Sequence, residues 1–306
     1  MFSLIVDRLI QATLALLLLS VAVFLLTRAT GSPLDLLLGQ NATKEDYVRL
    51  ETELGLDKPL PVQYGLYLSR IVQGDLGRSA RSGDSVGQLI LERAPASAYL
   101  ALVATSIAFF LGVPLGVLAA VERGRPWDAA ITAGTVLCQA APSFWLGILL
   151  IDLFAVRLNV LPAGEFEDWR SIILPALTLG LFGLGGVVRL VRTSMLEVLD
   201  SEFVKLARAK GVPERDVVMK HALRNALLPV VTYIGIFFSI LVTLNAVVEV
   251  VFNWPGIGRM MFDAIVFRDF PLAQGMVLFA AAVTIVVNLV VDIAYAYLDP
   301  RIRCAP

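Results

Sequence analysis

Residues 98–121 read AYLALVATSIAFFLGVPLGVLAAV and contain no charged side chain. A helix needs about 20 predominantly apolar residues to cross the hydrocarbon core of a bilayer, because every backbone amide there must be paired within the segment. This stretch is long enough to cross. The whole chain agrees with it, since 58% of its 306 residues are hydrophobic and only 17% are charged. We therefore expect the protein to sit in a lipid bilayer.

Five further stretches are comparably apolar, so the sequence predicts an all-α polytopic membrane protein of about six transmembrane helices. The predicted spans are residues 9–27, 98–121, 129–155, 171–188, 226–252 and 272–298. The fourth span is short, carries Pro175 and is rich in glycine. A helix there depends on close packing against its neighbours.

The orientation follows from the basic residues of the short loops, which are held back on the cytoplasmic side. A cytoplasmic N-terminus puts on that side Arg8, Arg123, Arg125, every basic residue from Arg189 to Arg224, Arg301 and Arg303. The opposite short loops then hold only Arg157, Arg170, Arg259 and Arg268. Both termini are therefore predicted to be cytoplasmic.

Three regions follow from this topology. Residues 1–27 form the N-terminal transmembrane helix, residues 28–97 an extracytoplasmic loop with short helices, and residues 98–306 a core of five transmembrane helices. Within the loop, the capping-box spacing at residues 43–46 predicts a helix that ends at Gly55, and residues 62–72 predict a second helix with Tyr64 and Tyr67 on one side.

Composition disfavours several classes of function. The net charge of −1 argues against nucleic-acid binding. One histidine and two cysteines without paired spacing argue against a metal site or a catalytic triad. We expect neither an enzyme nor a bound cofactor.

The cytoplasmic stretch at residues 201–224 reads SEFVKLARAKGVPERDVVMKHALR and predicts a helix, a break and a second helix. Phe203, Leu206 and Ala207 are predicted to share one face, opposite Lys205 and Arg208. Gly211 suits the end of the first helix, and Pro213 suits the first turn of the next. A second apolar side is predicted to comprise Val217, Val218, His221 and Ala222. Such a pair is suited to docking in a partner's groove, although an ordinary interfacial loop is the alternative.

Several motifs in this chain resemble those of the peptide and nickel importer permeases of the ATP-binding-cassette class. They are FVKLARAKG at 203–211, HALRNALLPVVT at 221–232, LGLDKP at 54–59, GDLGRS at 74–79, NWPGIG at 253–258, RDFP at 268–271 and DPRIR at 299–303. The resemblance covers nearly the whole chain, and the long first loop is similar to that of the first of the two permease subunits in such systems. It implies the type I importer permease fold.

The resemblance implies that residues 201–224 are a coupling segment that sits in a cleft of an ATPase subunit. The implied coupling residues are Glu202, Phe203, Lys205, Ala207, Arg208, Ala209, Lys210, Gly211, Val212 and His221. The acidic residue of the general Glu-Ala-Ala motif is absent, since Lys205 stands at its position. This departure leaves open which side chains contact the ATPase.

The implied function is import of dipeptides or oligopeptides across the bacterial plasma (inner) membrane by alternating access. The sequence has no Gly-x-x-x-x-Gly-Lys-Ser/Thr phosphate loop, so ATP and Mg are expected on partner subunits. The expected partners are a second homologous permease, two ATP-binding subunits and an extracytoplasmic substrate-binding protein. Nickel chelates and glutathione-like solutes are alternative substrates. An ion-driven secondary transporter is the alternative class, disfavoured by the lack of paired broken helices.

Four residues are candidates for the translocation path: Gln139, Pro142, Asn245 and Glu249. Gln139 and Pro142 suit a kink that faces the path, but ordinary helix packing is an equal alternative. Asp292 is a candidate proton relay, although its place near the cytoplasmic end favours an ion pair or a helix cap. The small-xxx-small spacing at Gly112 and Gly116 predicts close helix packing.

Overall fold

The structure, a computed structural model, describes residues 2–29, 57–166 and 168–298 and the isolated positions 43, 45, 48, 49, 51 and 52. Within these residues the regular structure is helical, apart from one antiparallel bridge between Arg78 and Ser85. The predicted loop helix from residue 43 to Gly55 lies largely outside the described residues, as does the DPRIR motif at 299–303.

Two helices form the N-terminal part of the described chain. Helix α1 spans Phe2–Ala29, and helix α2 spans Leu60–Val72, with Pro59 at its N-cap. The predicted loop helix at residues 62–72 is thereby confirmed. It packs on α1 through the Ser20 and Tyr64 hydroxyls, which lie 2.8 Å apart, and through aromatic contacts of Phe24 with Tyr64 and Tyr67.

Helix α3 spans Val86–Val121 and so begins before the predicted start at residue 98. Its first turns are apolar on one side, where Val86 and Ile90 are buried against Ile257 and Leu272. This packing extends the helix beyond the membrane-spanning stretch. Helix α3 crosses the predicted boundary between the loop, residues 28–97, and the core, residues 98–306. That boundary stays a prediction.

The predicted third span, residues 129–155, is two helices rather than one. Helix α4 spans Pro126–Ala140, and helix α5 spans Ser143–Leu150 and continues as a π-helical segment over Ile151–Arg157. The two parts are bent by 99°. Pro142 causes the break, because it has no N–H to donate and it forces Ala141 into an extended conformation, with ψ at 132°.

Helix α6 spans Ile173–Leu199 and does not end at Val188 as predicted. It lies along α3, as the small-residue spacing predicts: a Cβ atom at Gly112 would meet Val187 Cγ1 at 2.7 Å, and one at Gly116 would meet Val191 Cβ at 2.6 Å. The contact moves four residues forward on both helices, from Gly112 with Val187 to Gly116 with Val191, so α3 and α6 run parallel.

Helices α7, Glu202–Ala209, and α8, Glu214–Ala226, form a hairpin after α6. Helix α9 spans Leu228–Leu244 and is bent by 50° from α8. The predicted fifth span continues to residue 252, but the helix breaks at Asn245 and resumes as α10, Ala246–Val251. Gly258 is packed directly on this break, since a Cβ atom there would lie 2.6 Å from the Ala246 nitrogen.

Helix α11 spans Ile257–Val266, and helix α12 spans Phe270–Leu298, close to the predicted sixth span. At the far end of α12, Asp292 Oδ2 lies 2.8 Å from Arg8 Nε of α1. The ion-pair interpretation of Asp292 therefore fits the structure.

Among the described residues, three helices are long and apolar enough to cross a membrane, or up to five spans if each bent pair counts as one. The three single helices are α3, α6 and Phe270–Ile293 of α12. The bent pairs α4 with α5 and α8 with α9 each pass the same test as one broken span, and α1 contributes a shorter apolar stretch, Ile10–Leu26. This arrangement confirms an all-α polytopic fold.

Candidate coupling segment and translocation path

The coupling segment is anchored by the inward side of α7. Val204 is fully buried and Ala207 is nearly so, and both pack against Val217 of α8. Positions three residues apart lie on one side of a helix, so Val204 and Ala207 face the bundle together. This small apolar cluster joins the two helices of the hairpin.

By their spacing Phe203 and Leu206 lie next to Ala207 on the helix surface, as predicted, but Ala207 is buried and the other two are not. Their side chains remain 47% and 56% exposed. The buried positions of α7 are Val204 and Ala207, so its buried side is centred between these two residues, and Phe203 and Leu206 lie at or beyond the edge of that side. We call these two side chains the outward ridge.

The ridge is flanked by charge and ends at a sharp turn. Glu202 and Lys205 form an exposed ion pair at 2.8 Å. Ala209 and Lys210 are also exposed, and Gly211 follows with φ at +78°, a conformation that disfavours side chains. The Val212 amide then donates to the Ala207 carbonyl at 3.2 Å and closes the turn.

Arg208 clamps the turn to the next helix. Its guanidinium donates to both carboxylate oxygens of Glu214, at 3.1 Å and 2.7 Å. The hydrogen bond from Arg208 lowers the pKa of the Glu214 carboxyl below its ordinary value of 4.5, and the same bond raises the pKa of Arg208. Both groups are therefore ionised at neutral pH, and their bidentate ion pair links the turn to the start of α8.

On α8, the predicted apolar side is only partly right. Val217, Val218 and Ala222 are buried, but His221 is exposed. The π-helical winding over Val217–Ala222 changes the regular spacing, so the periodicity of an α-helix does not apply there.

Gln139 and Pro142 lie at the break between α4 and α5. The Gln139 side chain packs on α6, where a Cβ atom at Gly185 would lie 2.6 Å from Gln139 Cγ. Ala140 and Pro142 are exposed. The kink predicted at this point is therefore present.

Glu249 lies in a closed polar site at the start of α11. Its carboxylate accepts a hydrogen bond from the Ser97 hydroxyl at 2.6 Å and from the Arg259 amide at 3.0 Å. The Ser97 oxygen in turn accepts from the Ile257 amide at 2.8 Å. Glu249 thus fixes α11 to α3, which is a structural task that the sequence did not indicate.

Asn245 lies one turn before Glu249 and is 9% exposed, and its side-chain Nδ2 has no hydrogen-bond partner in the described residues. The backbone joins the two residues, since the Glu249 amide donates to the Asn245 carbonyl at 3.2 Å. The four path candidates therefore form two groups, Gln139 with Pro142 and Asn245 with Glu249.

Sequence reasoning missed a contact near the end of α6 that leads into the coupling segment. Arg192 Nε and Nη2 donate to the two carboxylate oxygens of Asp128 at 2.7 Å and 2.8 Å. Asp128 also accepts from the Gly124 amide at 3.0 Å. Both residues were placed at or beyond the ends of predicted spans, and no local motif links them.

Two family models cover the chain. Residues 112–303 match "Binding-protein-dependent transport system inner membrane component", and residues 1–101 match "Binding-prot-dependent transport system membrane comp, N-term", the N-terminal region of such a membrane component. The chain is 40% identical over 312 residues to a putative peptide transport system permease protein of Brucella abortus (strain 2308), with 99% of each chain covered. It is 39% identical over 304 residues to the glutathione transport system permease protein GsiC of Salmonella typhi, again with 99% of each covered.

Solved structures share the fold. An inward-facing structure of the MetNI methionine ABC transporter matches with a TM-score of 0.59 at 19% identity, over 69% of this chain and 97% of that one. An amino acid ABC transporter with histidines matches with a TM-score of 0.52 at 15% identity, over 70% and 94%. At these identities the match shows the fold, while the family models and the relatives show the lineage: the chain belongs to the family of binding-protein-dependent transport system inner membrane components.

Proposed function

We propose that this chain is one permease subunit of an ATP-driven importer for dipeptides or oligopeptides, and that it works by alternating access. The observation that carries the proposal is the outward ridge of α7, an exposed apolar pair on a hairpin whose other side is packed and clamped. Similarity over nearly the full length to permeases named for peptide and glutathione transport supports the choice of solute.

The hairpin has the form of a mechanical coupler. Helix α6 runs unbroken to Leu199, and α7 begins three residues later at Glu202. On the other side, α8 leads through a 50° bend into α9. A partner that binds the outward ridge in a groove and moves therefore displaces two membrane helices at once. ATP and Mg belong to two partner ATPase subunits in this scheme.

The break at Pro142 supports an aqueous path beside it. Helix α4 has 15 residues, so it rises about 22 Å before the break, which is less than the roughly 30 Å hydrocarbon core. Non-helical backbone at that depth is tolerated only where protein covers it or where it lines water. Because Ala140 and Pro142 are exposed in this chain, we place the path between this surface and a second permease subunit. Asn245 and Glu249 remain candidates, with Glu249 serving mainly to hold α11.

The remaining partner is a substrate-binding protein on the extracytoplasmic side. The family description supports this partner, because it names binding-protein-dependent transport systems. Glutathione-like peptides are the second candidate for the solute, because a relative of the same similarity is named for glutathione transport.

The experiment is affinity purification of the tagged chain from its native membranes, with mass spectrometry of the copurifying proteins. We expect a second permease and P-loop ATPases. Substituting Leu206→Asp puts a charge on the outward ridge and is expected to reduce ATPase recovery at least about tenfold, since exposed apolar anchors carry much of the binding energy of interfaces. Phe203→Asp is expected to do the same.

Val72→Asp is the matched control. Val72 is also an exposed apolar residue, 80% exposed, but it ends α2 in the loop predicted to be extracytoplasmic. ATPase recovery with this variant is expected to equal that of the wild type. Full recovery with Leu206→Asp and Phe203→Asp, with unchanged melting temperatures, contradicts the proposed docking.

A further inference from the structure

A cavity of about 540 Å³ lies at the opposite end of the bundle from the coupling segment. Four elements enclose it: the turn at residues 79–82, the first turns of α3, helix α11 and the start of α12. Because α3 and α6 run parallel, the first turns of α3 lie at the end away from α7. The predicted topology places this end outside the cell.

Asp269 fixes one wall of the cavity. Its carboxylate is 2% exposed and accepts hydrogen bonds from the Ser79 hydroxyl, the Ala80 amide at 3.1 Å and the Leu272 amide at 3.2 Å. These bonds hold the turn that carries Arg81, whose guanidinium carbon lies 3.7 Å from the centre of the Phe267 ring. This wall therefore presents the Arg81 cation at a defined place.

Positive charge exceeds negative charge in this cavity. Three guanidinium groups line it, those of Arg81, Arg93 and Arg259, against the carboxylates of Asp263 and Asp269. Arg259 Nη1 donates to a neutral group, the Asn253 carbonyl, at 3.1 Å. In the part of the chain that the structure describes, none of the three arginines forms an ion pair. Their charge is available to a ligand.

The rest of the lining is apolar and includes Leu89, Met260 and Phe267. A ligand with an anionic group and an apolar body matches this mixture. The planar guanidinium group pairs with a carboxylate through two parallel hydrogen bonds. The volume falls within the range of about 300–1,000 Å³ that is usual for small-molecule sites.

We propose that this arginine pocket binds the terminal carboxylate of a peptide on the outer side of the membrane. The choice of a peptide rests on the proposed function, since every unmodified linear peptide carries that carboxylate. The pocket would hold a peptide before it enters the path, and it would favour a free carboxyl end over a blocked one.

Binding is tested on the full-length chain in lipid nanodiscs by saturation-transfer NMR titration with trialanine and with trialanine amide, which lacks the carboxylate. We expect trialanine to bind and the amide to bind at least about tenfold more weakly, as loss of a charge-assisted hydrogen bond predicts. Arg93→Gln and Arg81→Gln are expected to weaken binding of the acid but not of the amide. Arg70→Gln, an exposed arginine on α2 outside the pocket, is the control and is expected to change neither.

Equal affinity for acid and amide overturns the proposal, as does the absence of trialanine binding at millimolar concentration or an unchanged affinity in Arg93→Gln. ATP-driven peptide uptake by the assembled complex is measured in parallel. Intact uptake with a negative binding result rejects the pocket and leaves the proposed function standing. A third outcome is that Arg93→Gln leaves peptide affinity unchanged but impairs uptake when the binding protein is present. That result would assign the pocket to an acidic side chain of the binding protein, and it also overturns the proposal.

Discussion

Arg192 on α6 donates two hydrogen bonds to Asp128 at the start of α4, from Nε to Oδ1 at 2.7 Å and from Nη2 to Oδ2 at 2.8 Å. The Asp128 side chain is only 8% exposed and that of Arg192 is 29% exposed. The pair ties the first turn of α4 to the last turns of α6, directly before the coupling segment.

Removing one partner should therefore destabilise the fold. We expect Asp128→Asn to lower the free energy of unfolding by about 2–3 kcal/mol, because it leaves the Arg192 charge without its counterion in a largely buried place. Denaturant unfolding in detergent micelles measures the change. Asp200→Asn is the control, since Asp200 and Arg123 are 3.9 Å apart and well exposed, and a change of at most about 0.5 kcal/mol is expected there. Equal effects of the two substitutions would contradict the importance of the Asp128 pair.

This pair also shows where the sequence falls short. The arginines after Val188 resemble the charges of a cytoplasmic loop, so the predicted span ended there. Helix α6 in fact continues to Leu199, and its Arg192 is paired with Asp128, which is distant in sequence. The break at Asn245 was also missed, and the residue packed against it, Gly258, is likewise not adjacent in sequence. By contrast, the kink at Pro142 and the small-residue contact of α3 have local signals, and both were predicted.

The coupling hairpin was located from its motif, but its orientation was not. An eight-residue amphipathic helix with apolar residues at Phe203, Val204, Leu206 and Ala207 has two possible buried sides. Packing of Val204 against Val217 selects one of them. The periodicity alone does not contain that tertiary contact.

Close packing of α3 on α6 predicts that Gly116 tolerates no side chain. A Cβ atom there would lie 2.6 Å from Val191 Cβ and 2.9 Å from the Val188 carbonyl oxygen, which belongs to the helix backbone. We expect Gly116→Ala to cost about 1–3 kcal/mol of stability. Gly134→Ala on α4 is the control, because nothing lies within 4 Å of its Cβ position and alanine is the better helix former. A melting temperature for Gly116→Ala equal to or above that of the wild type would refute the contact.

The turn of the coupling segment should depend on Gly211. Its φ of +78° costs a residue with a side chain about 1–2 kcal/mol, although open space surrounds it. We expect Gly211→Ala to reduce recovery of the ATPase subunits while the rest of the fold keeps its melting temperature. Gly65→Ala in α2 has equal space without a positive φ, and its recovery should be unchanged. Similar recovery with both variants would show that the turn geometry is irrelevant to docking.

The Arg208 clamp makes a prediction about pH. The pKa of Glu214 is lowered in the folded hairpin, so its stabilising contribution is present above the ordinary value of 4.5 and is lost as the pH falls through the folded value. A ¹³C NMR titration of the Glu214 carboxyl should give a pKa below 4.5. Arg208→Gln should move that pKa back toward 4.5, whereas Arg215→Gln, which removes the same charge from the adjacent residue, should leave it lowered. A Glu214 pKa that does not respond to Arg208→Gln would contradict the clamp.

The central claim is that this permease moves peptides by energy from ATP. The most direct test is uptake of a labelled peptide into proteoliposomes that contain the copurified complex and the binding protein. We predict accumulation that requires ATP, persists when ionophores collapse all ion gradients, and is lost with Leu206→Asp. Uptake by the chain alone, driven by a proton or sodium gradient without ATPase subunits, would contradict the account and identify a secondary transporter.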